Sequence, residues 1–244
     1  MTQDQRLLNG FESPQAQRRK KKGSSVFTIV GVLLLVLGLA CLGFIGYQYF
    51  GTNVVAQKSF DEKKETLRND WGSAPAPQGQ GQQQGGTAAV EPLKHDPGQP
   101  VALLRIPKFG ADYEVPVMSG TDLGTLSKGV GWYEGSVGPG EIGNFALAGH
   151  RVTHGEPFAR ILELAKGDQV IVETRGQVFT YVMDTSPADL TVDDKQVWVV
   201  DPVPGKPRDT VPTKELLTLT TCQDLFHSPD RSVGFGHLQS VDNK

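Results

Sequence analysis

The chain has 244 residues, 38% hydrophobic and 21% charged, with 24 Lys and Arg against 27 Asp and Glu and a net charge of −3. That length holds one large domain or a smaller one with appendages. The charge is unevenly divided, 10 basic to 7 acidic in residues 1–92 and 14 to 20 in residues 93–244, so the second part is acidic, which speaks against a nucleic-acid partner.

Residues 1–25 are polar and basic, with no apolar pattern to fold on, and are expected to be a disordered tail. From Val26 to Phe50 there are 25 consecutive uncharged residues, and a bilayer crossing needs about 20. Arg18, Arg19, Lys20, Lys21 and Lys22 precede this run, whereas Gly51–Phe60 holds one Lys. The positive-inside rule then predicts a single-pass anchor over 26–50, with a cytoplasmic N-terminus and everything after Phe50 outside the cell. A cleaved signal peptide, processed near Val54-Val55-Ala56, is the rival reading, but 25 apolar residues exceed the usual core of about 7–15.

Gln57–Asp70 is charged and reads as a short helix or a solvated stalk. From Gly72 to Pro100 the composition turns to Gly, Pro, Gln and Ala without periodicity, which predicts a tether with a reach of about 30 Å. Residues 51–100 are therefore taken as juxtamembrane stalk and linker, and 101–244 as the extracellular domain. Short β-type runs follow, separated by Gly, Pro and Asp turns: Ala102–Ile106, Asp112–Met118, Asn144–Gly149, Gln169–Thr174, Gln177–Asp184, Val197–Asp201, Leu216–Cys222 and Ser232–Val241. One helical stretch is expected around Phe158–Ala165. Eight strands without βα alternation predict a mainly β fold, a closed or nearly closed barrel.

The two cysteines fall in different compartments, Cys41 in the span and Cys222 near the end of the exported domain. A lone thiol outside the cell reads either as a nucleophile or as a small buried hydrophobe. In Leu216-Leu217-Thr218-Leu219-Thr220-Thr221-Cys222, alternation sets Leu217 and Leu219 on one face and Thr218, Thr220 and Cys222 on the other, so Cys222 ends a strand. A thiol with a pKa of about 8.5 needs a positive neighbour to become a nucleophile. His150, His227 and Arg231 are the candidates. His95 in the tether and His237 on a strand have no evident chemical partner. His150 and His154 are four apart, but no Glu follows His150, so the His-Glu-x-x-His zinc pattern is absent. Asp189, Asp193 and Asp194 show no calcium-loop spacing and read as a solvated loop, leaving no metal or cofactor implied.

Thr218-Leu219-Thr220-Thr221-Cys222 resembles the Thr-Leu-x-Thr-Cys signature of sortases, and Asn144-Phe145-Ala146-Leu147-Ala148-Gly149-His150-Arg151 resembles that family's histidine segment. Gly129-Val130-Gly131-Trp132-Tyr133, His154-Gly155-Glu156-Pro157-Phe158 and Asp201-Pro202-Val203-Pro204-Gly205 are similar to class E members, the housekeeping type of high-GC Gram-positive bacteria. The resemblance spans about Val101 to Gln239. It implies an eight-stranded sortase-type barrel and a cysteine transpeptidase acting on secreted proteins with a C-terminal sorting signal. Such an enzyme cuts a Leu-Ala-x-Thr-Gly-like signal between Thr and Gly and passes the protein to an amine of a lipid II-type cell-wall precursor. By the same resemblance Cys222 is the nucleophile, His150 the general acid and base, and Arg231 the oxyanion donor, with Thr221 positioning substrate. Arg151 is the alternative to Arg231. Pilus-type relatives carry an Asp-Pro-aromatic lid; Asp96-Pro97 here is followed by Gly98.

Other transpeptidase and peptidase patterns fit poorly. The L,D-type carries Ser-x-Gly-Cys-x-Arg, whereas Cys222 lies between Thr221 and Gln223, and a papain-like enzyme needs a histidine far downstream where only 22 residues remain. A non-catalytic, tethered wall-binding or adhesion domain with an inert Cys222 is the reading from a different class.

Overall fold

The computed structural model describes residues 25–73, 90–93, 96–222 and 229–244. The basic tail, most of the Gly/Gln-rich tether, His95 and His227 lie outside the described residues. The chain divides into two compact units, one ending at Phe44 and one running from Ile45 to Lys244. Helix α1 spans Ser25–Gly46, all but its last two residues in the first unit, and Val26–Gly46 is long and apolar enough to cross a membrane. Its Leu33, Leu34, Leu35 and Leu37 stand exposed, as lipid-facing residues would. A π-helical turn, Tyr47–Gly51, takes up the last residues of the uncharged run.

The segment that reads as a short helix or a stalk is a full helix, α2, over Thr52–Ser73. It is not solvated all round: Ala56, Phe60 and Leu67 are buried at 2%, 1% and 4% exposure, and Ala56 and Phe60 belong to the main core. Arg68 also pairs with Glu114, and Lys244 lies over the Trp71 ring. Truncating a fully buried Phe costs about 3–5 kcal/mol. Phe60→Ala should therefore lower the melting temperature of the full chain by roughly 6–20 °C, at about 2–4 °C per kcal/mol for a unit of this size. A change below one degree by circular dichroism would mean that α2 does not dock.

The second unit is built on nine strands: β1 (Pro100–Arg105), β2 (Glu114–Ser119), β3 (Val130–Trp132), β4 (Gly143–Gly149), β5 (Gln169–Glu173), β6 (Gln177–Met183), β7 (Thr191–Asp193), β8 (Glu215–Cys222) and β9 (Asp230–Asn243). They run in the order β6-β5-β1-β2-β3-β4-β8-β9, and β6 pairs back onto β9. That pairing closes an eight-stranded barrel, and closure removes the free edges a sheet otherwise exposes. The fourteen-residue β9 serves two neighbours on one edge, with residues 230–232 beside β7 and residues 236–243 beside β6.

The strands follow their side-chain chemistry. In β6 burial alternates, with Phe179, Tyr181 and Met183 in the core and Val178, Thr180 and Val182 partly exposed, the period of two that a sheet with one wet face imposes. Strand β4 is buried at all seven positions because it lies between β3 and β8 and is covered on both faces. Leu104, Val117, Phe145, Leu147, Leu217 and Leu219 meet inside the barrel. Tyr181 is buried with them, and its hydroxyl accepts the Gly140 N–H at 2.7 Å. Burial pushes its phenol well above the ordinary range.

The barrel has eight strands, but not the eight expected. Val197–Asp201, expected as a strand, holds a 3-10 turn over Val197–Val200. Its short apolar run suits either conformation, and here it lies across the outside of β8. Asn144 fixes it there, donating to the carbonyls of Val199 at 3.3 Å and Asp201 at 3.0 Å, while the Thr218 hydroxyl donates to the Asn144 side-chain oxygen at 2.8 Å. Strand β3 takes the vacant place in the barrel. The helix expected at Phe158–Ala165 is reduced to a 3-10 turn, Ile161–Glu163.

Candidate active site

Three neighbouring strands deliver the sequence candidates to one end of the barrel. β4 and β8 are parallel with Gly149 opposite Thr221, and β8 and β9 are antiparallel with Cys222 opposite Arg231. His150 directly follows Gly149, so continuing that register sets it level with Cys222. Adjacent strands lie about 4.7–4.9 Å apart. The backbones of His150, Cys222 and Arg231 therefore stand in one row, each about one strand spacing from the next, although 72 residues separate the first two in sequence.

The row borders a cleft of about 620 Å³ whose lining includes Leu123, Leu126, Tyr133, His150, Thr221 and Arg231. The Thr221 hydroxyl donates to the Gly149 carbonyl at 2.7 Å, tying the strand that ends in Cys222 to the one that ends at His150. One residue earlier on β8, the Thr220 hydroxyl bonds the Leu147 carbonyl at 3.3 Å and meets the Tyr133 hydroxyl at 3.2 Å. Both threonines are buried at 2% exposure, so their hydroxyls fix the register of the site. Leu123 and Leu126 come from a single-turn helix, α3 (Leu123–Leu126), capped by Asp122. The Asp122 carboxylate accepts from the Thr125 hydroxyl and from its backbone N–H, and these bonds hold its pKa below the usual carboxylate value.

Arg231 is the second residue of β9, and its guanidinium lies 3.8 Å from the Asp194 carboxylate and donates to the Asp230 carbonyl at 3.1 Å. The sequence predicts a solvated loop for Asp193 and Asp194. Asp193 in fact ends β7, and Asp194 lines the cleft, because pairing of β7 with the start of β9 carries it there. Arg151 lines the same cleft. His237 sits exposed on β9 with a partner that sequence did not suggest, the Asp184 carboxylate at 2.9 Å.

The loop after His150 is closed by a hydrogen bond from the Phe158 N–H to the His150 carbonyl at 2.9 Å. Within it His154, Gly155 and Glu156 have φ of 54°, 80° and 51°. Non-glycine residues in the left-handed region cost about 1–3 kcal/mol each and persist where their surroundings fix them. The turn brings the His154 ring onto His150, with centroids 4.6 Å apart and planes at 27°. Sequence reasoning considered this pair only as a zinc motif; among the described residues no group of three or more potential ligands forms. The cleft thus gathers an imidazole, a guanidinium and, at Thr221, the end of the strand that carries Cys222.

Residues 104–239 match the family model described as a sortase domain. The chain is 33% identical to sortase SrtE1 of Streptomyces coelicolor over 95% of its own length, and it spans 63% of that relative. It is 30% identical to sortase D of Bacillus subtilis, covering 85% of this chain and 96% of that one. Among solved structures, sortase E of Streptomyces avermitilis superposes with a TM-score of 0.55 at 38% identity, over 61% of this chain and 93% of that one. Sortase E1 of S. coelicolor, with a tripeptide in its active site, gives 0.52 at 36% identity, over 62% and 94%.

Proposed function

This chain belongs to the sortase family, and on that premise we propose that it is a class E cysteine transpeptidase held at the cell membrane by α1. The observation that carries the reading is the strand register, with His150, Cys222 and Arg231 level at the mouth of one cleft. The tripeptide in the related sortase E1 supports an extended peptide as the occupant of that cleft.

In this mechanism the Cys222 thiolate attacks the carbonyl carbon of the Thr in a sorting signal, and the carbonyl oxygen becomes an oxyanion that accepts hydrogen bonds from the Arg231 guanidinium. His150 gives its proton to the departing Gly amine as the C–N bond breaks, leaving a thioacyl enzyme. An amine of a cell-wall precursor then attacks the thioester. His150 takes the proton it loses, the new amide forms and Cys222 leaves as thiolate. Thr221 keeps the two strand ends in step, and Asp194 keeps the guanidinium turned into the cleft. The five basic residues Arg18–Lys22 before the span support a cytoplasmic N-terminus and an extracellular catalytic unit.

The substrate is a Leu-Ala-x-Thr-Gly-like signal. Paired peptides differing only in Ala or Pro at the second position, competed in one reaction, give the ratio of kcat/KM directly. The Ala peptide should be preferred and, with a wall-peptide amine present, should appear as a ligated product. Preference for the Pro peptide overturns the class E assignment, and hydrolysis or ligation of neither peptide overturns the transpeptidase.

A further inference from the structure

Helix α2 touches the site. Asn53, Ala56, Gln57 and Phe60 are spaced i, i+3, i+4 and i+7, one face of a helix, and all four meet the turn His154–Glu156. The Asn53 side-chain oxygen accepts the Gly155 N–H at 2.9 Å, and its amide donates to Glu156 Oε1 at 2.6 Å. Gln57 donates to the Gly155 carbonyl at 2.9 Å. Both main-chain polar groups of Gly155 are thus held by side chains of α2. Between them the glycine lies so close to Phe60 that a Cβ would come within 2.8 Å of its ring and 3.2 Å of Ala56. A side chain at 155 is excluded by that contact and by the φ of 80° alike.

The turn so held is the one that carries the His154 ring onto His150. We propose that α2 is a working part of the catalytic unit, in which Asn53 and Gln57 are positioning residues that set the His150 imidazole through the backbone of residues 154–156 and the ring of His154. A left-handed run of three residues, two of them not glycine, relaxes once its hydrogen bonds are cut, and His154 then swings away from the ring it stacks on. Proton transfer at His150 depends on the direction of one ring nitrogen, whereas peptide binding draws on the whole cleft. Loosening the turn therefore acts on kcat and leaves KM. The inference rests on His150 as the proton carrier of the proposed transpeptidase.

The test uses the full chain in detergent, with histidine labelled for NMR. Asn53→Ala and Gln57→Ala should each move the His150 and His154 ring resonances out of their mutual ring-current positions. Each should lower kcat with a sorting peptide by roughly 10- to 100-fold, the scale of a small misplacement of a reacting group, with KM unchanged. Asn53→Asp combined with Glu156→Gln exchanges carboxamide and carboxylate across the same contact, keeps an acceptor for the Gly155 N–H, and should restore both resonances and kcat. Ring resonances unmoved in both alanine variants overturn the proposal, as does a shift in the resonances with no change in kcat of an active chain, or a rise in KM with kcat unchanged. Moved resonances and their rescue in a chain with no transpeptidase activity uphold the mechanical link from α2 to His150 and remove the enzymatic reading instead.

Discussion

Cys222→Ala should abolish transpeptidation outright. With no sulfur to carry the acyl group there is no thioester, and neither hydrolysis nor ligation has an intermediate to proceed through. The fold should survive, because the pairing of Cys222 with Arg231 at the end of β8 is made by main-chain atoms that alanine keeps. Substitutions that break no packing or network stay within about 0.5 kcal/mol, which is roughly 1–2 °C in melting temperature here. Intact-mass measurement after incubation with a sorting peptide should show one acyl adduct on the wild-type chain and none on the variant. A tethered wall-binding domain with an inert cysteine makes the opposite prediction: no adduct on either chain, and binding unaltered by the substitution. An adduct that persists in Cys222→Ala would place the nucleophile elsewhere.

His150→Ala should cost about 10²–10⁴-fold in kcat/KM, the usual loss when a positioned acid and base is removed. In the proposed mechanism both half-reactions pass a proton through this one ring, so acylation and amine transfer should slow together. Arg231→Ala should lose on the order of 10²-fold or more, as when a single oxyanion donor is removed. Single-turnover kinetics separates the steps. The two variants should also differ in what restores them: added imidazole of suitable pKa can stand in for a lost proton carrier, while a free guanidinium ion, not held on a strand, should recover Arg231→Ala less. If both variants turn over normally, the convergence of strand ends serves something other than this chemistry.

The parts of the site that could be read in the sequence are those set by local pattern. Alternation in Leu217-Thr218-Leu219-Thr220-Thr221 gave a strand ending at Cys222, and Leu217 and Leu219 do face the core. What alternation cannot give is the neighbour. That β8 lies beside β4 in parallel, and that Asp194 arrives beside Arg231, are long-range pairings with no local trace. Strand β3 is only three residues long, with Gly131 at its centre, too short a run for alternation to show. The glycines of β9 interrupt its apolar pattern without interrupting the strand. Gly236 is needed because a Cβ there would stand 2.7 Å from the Val182 carbonyl across the ladder, and β9 runs unbroken for fourteen residues. In α2 the buried stripe Ala56, Phe60, Leu67 is interrupted by Lys63 and Lys64, so the apolar period was too sparse to stand out from the charge around it. His154 was visible as a residue but not as a contact, because its reach to His150 runs through a left-handed turn that α2 contacts from a distant part of the sequence.

The docking of α2 also sets an order of events during synthesis. The helix is made about 100 residues before the turn it grips, the separation of Asn53 from Gly155 being 102. Ribosomes add about 5–20 residues per second, so Phe60 and Leu67 emerge on the order of 5–20 s before most of the surface that will cover them exists. Through that interval the charged side chains of Asp61, Glu62, Glu65 and Arg68, which remain exposed in the finished protein, are the part of the helix that needs no cover.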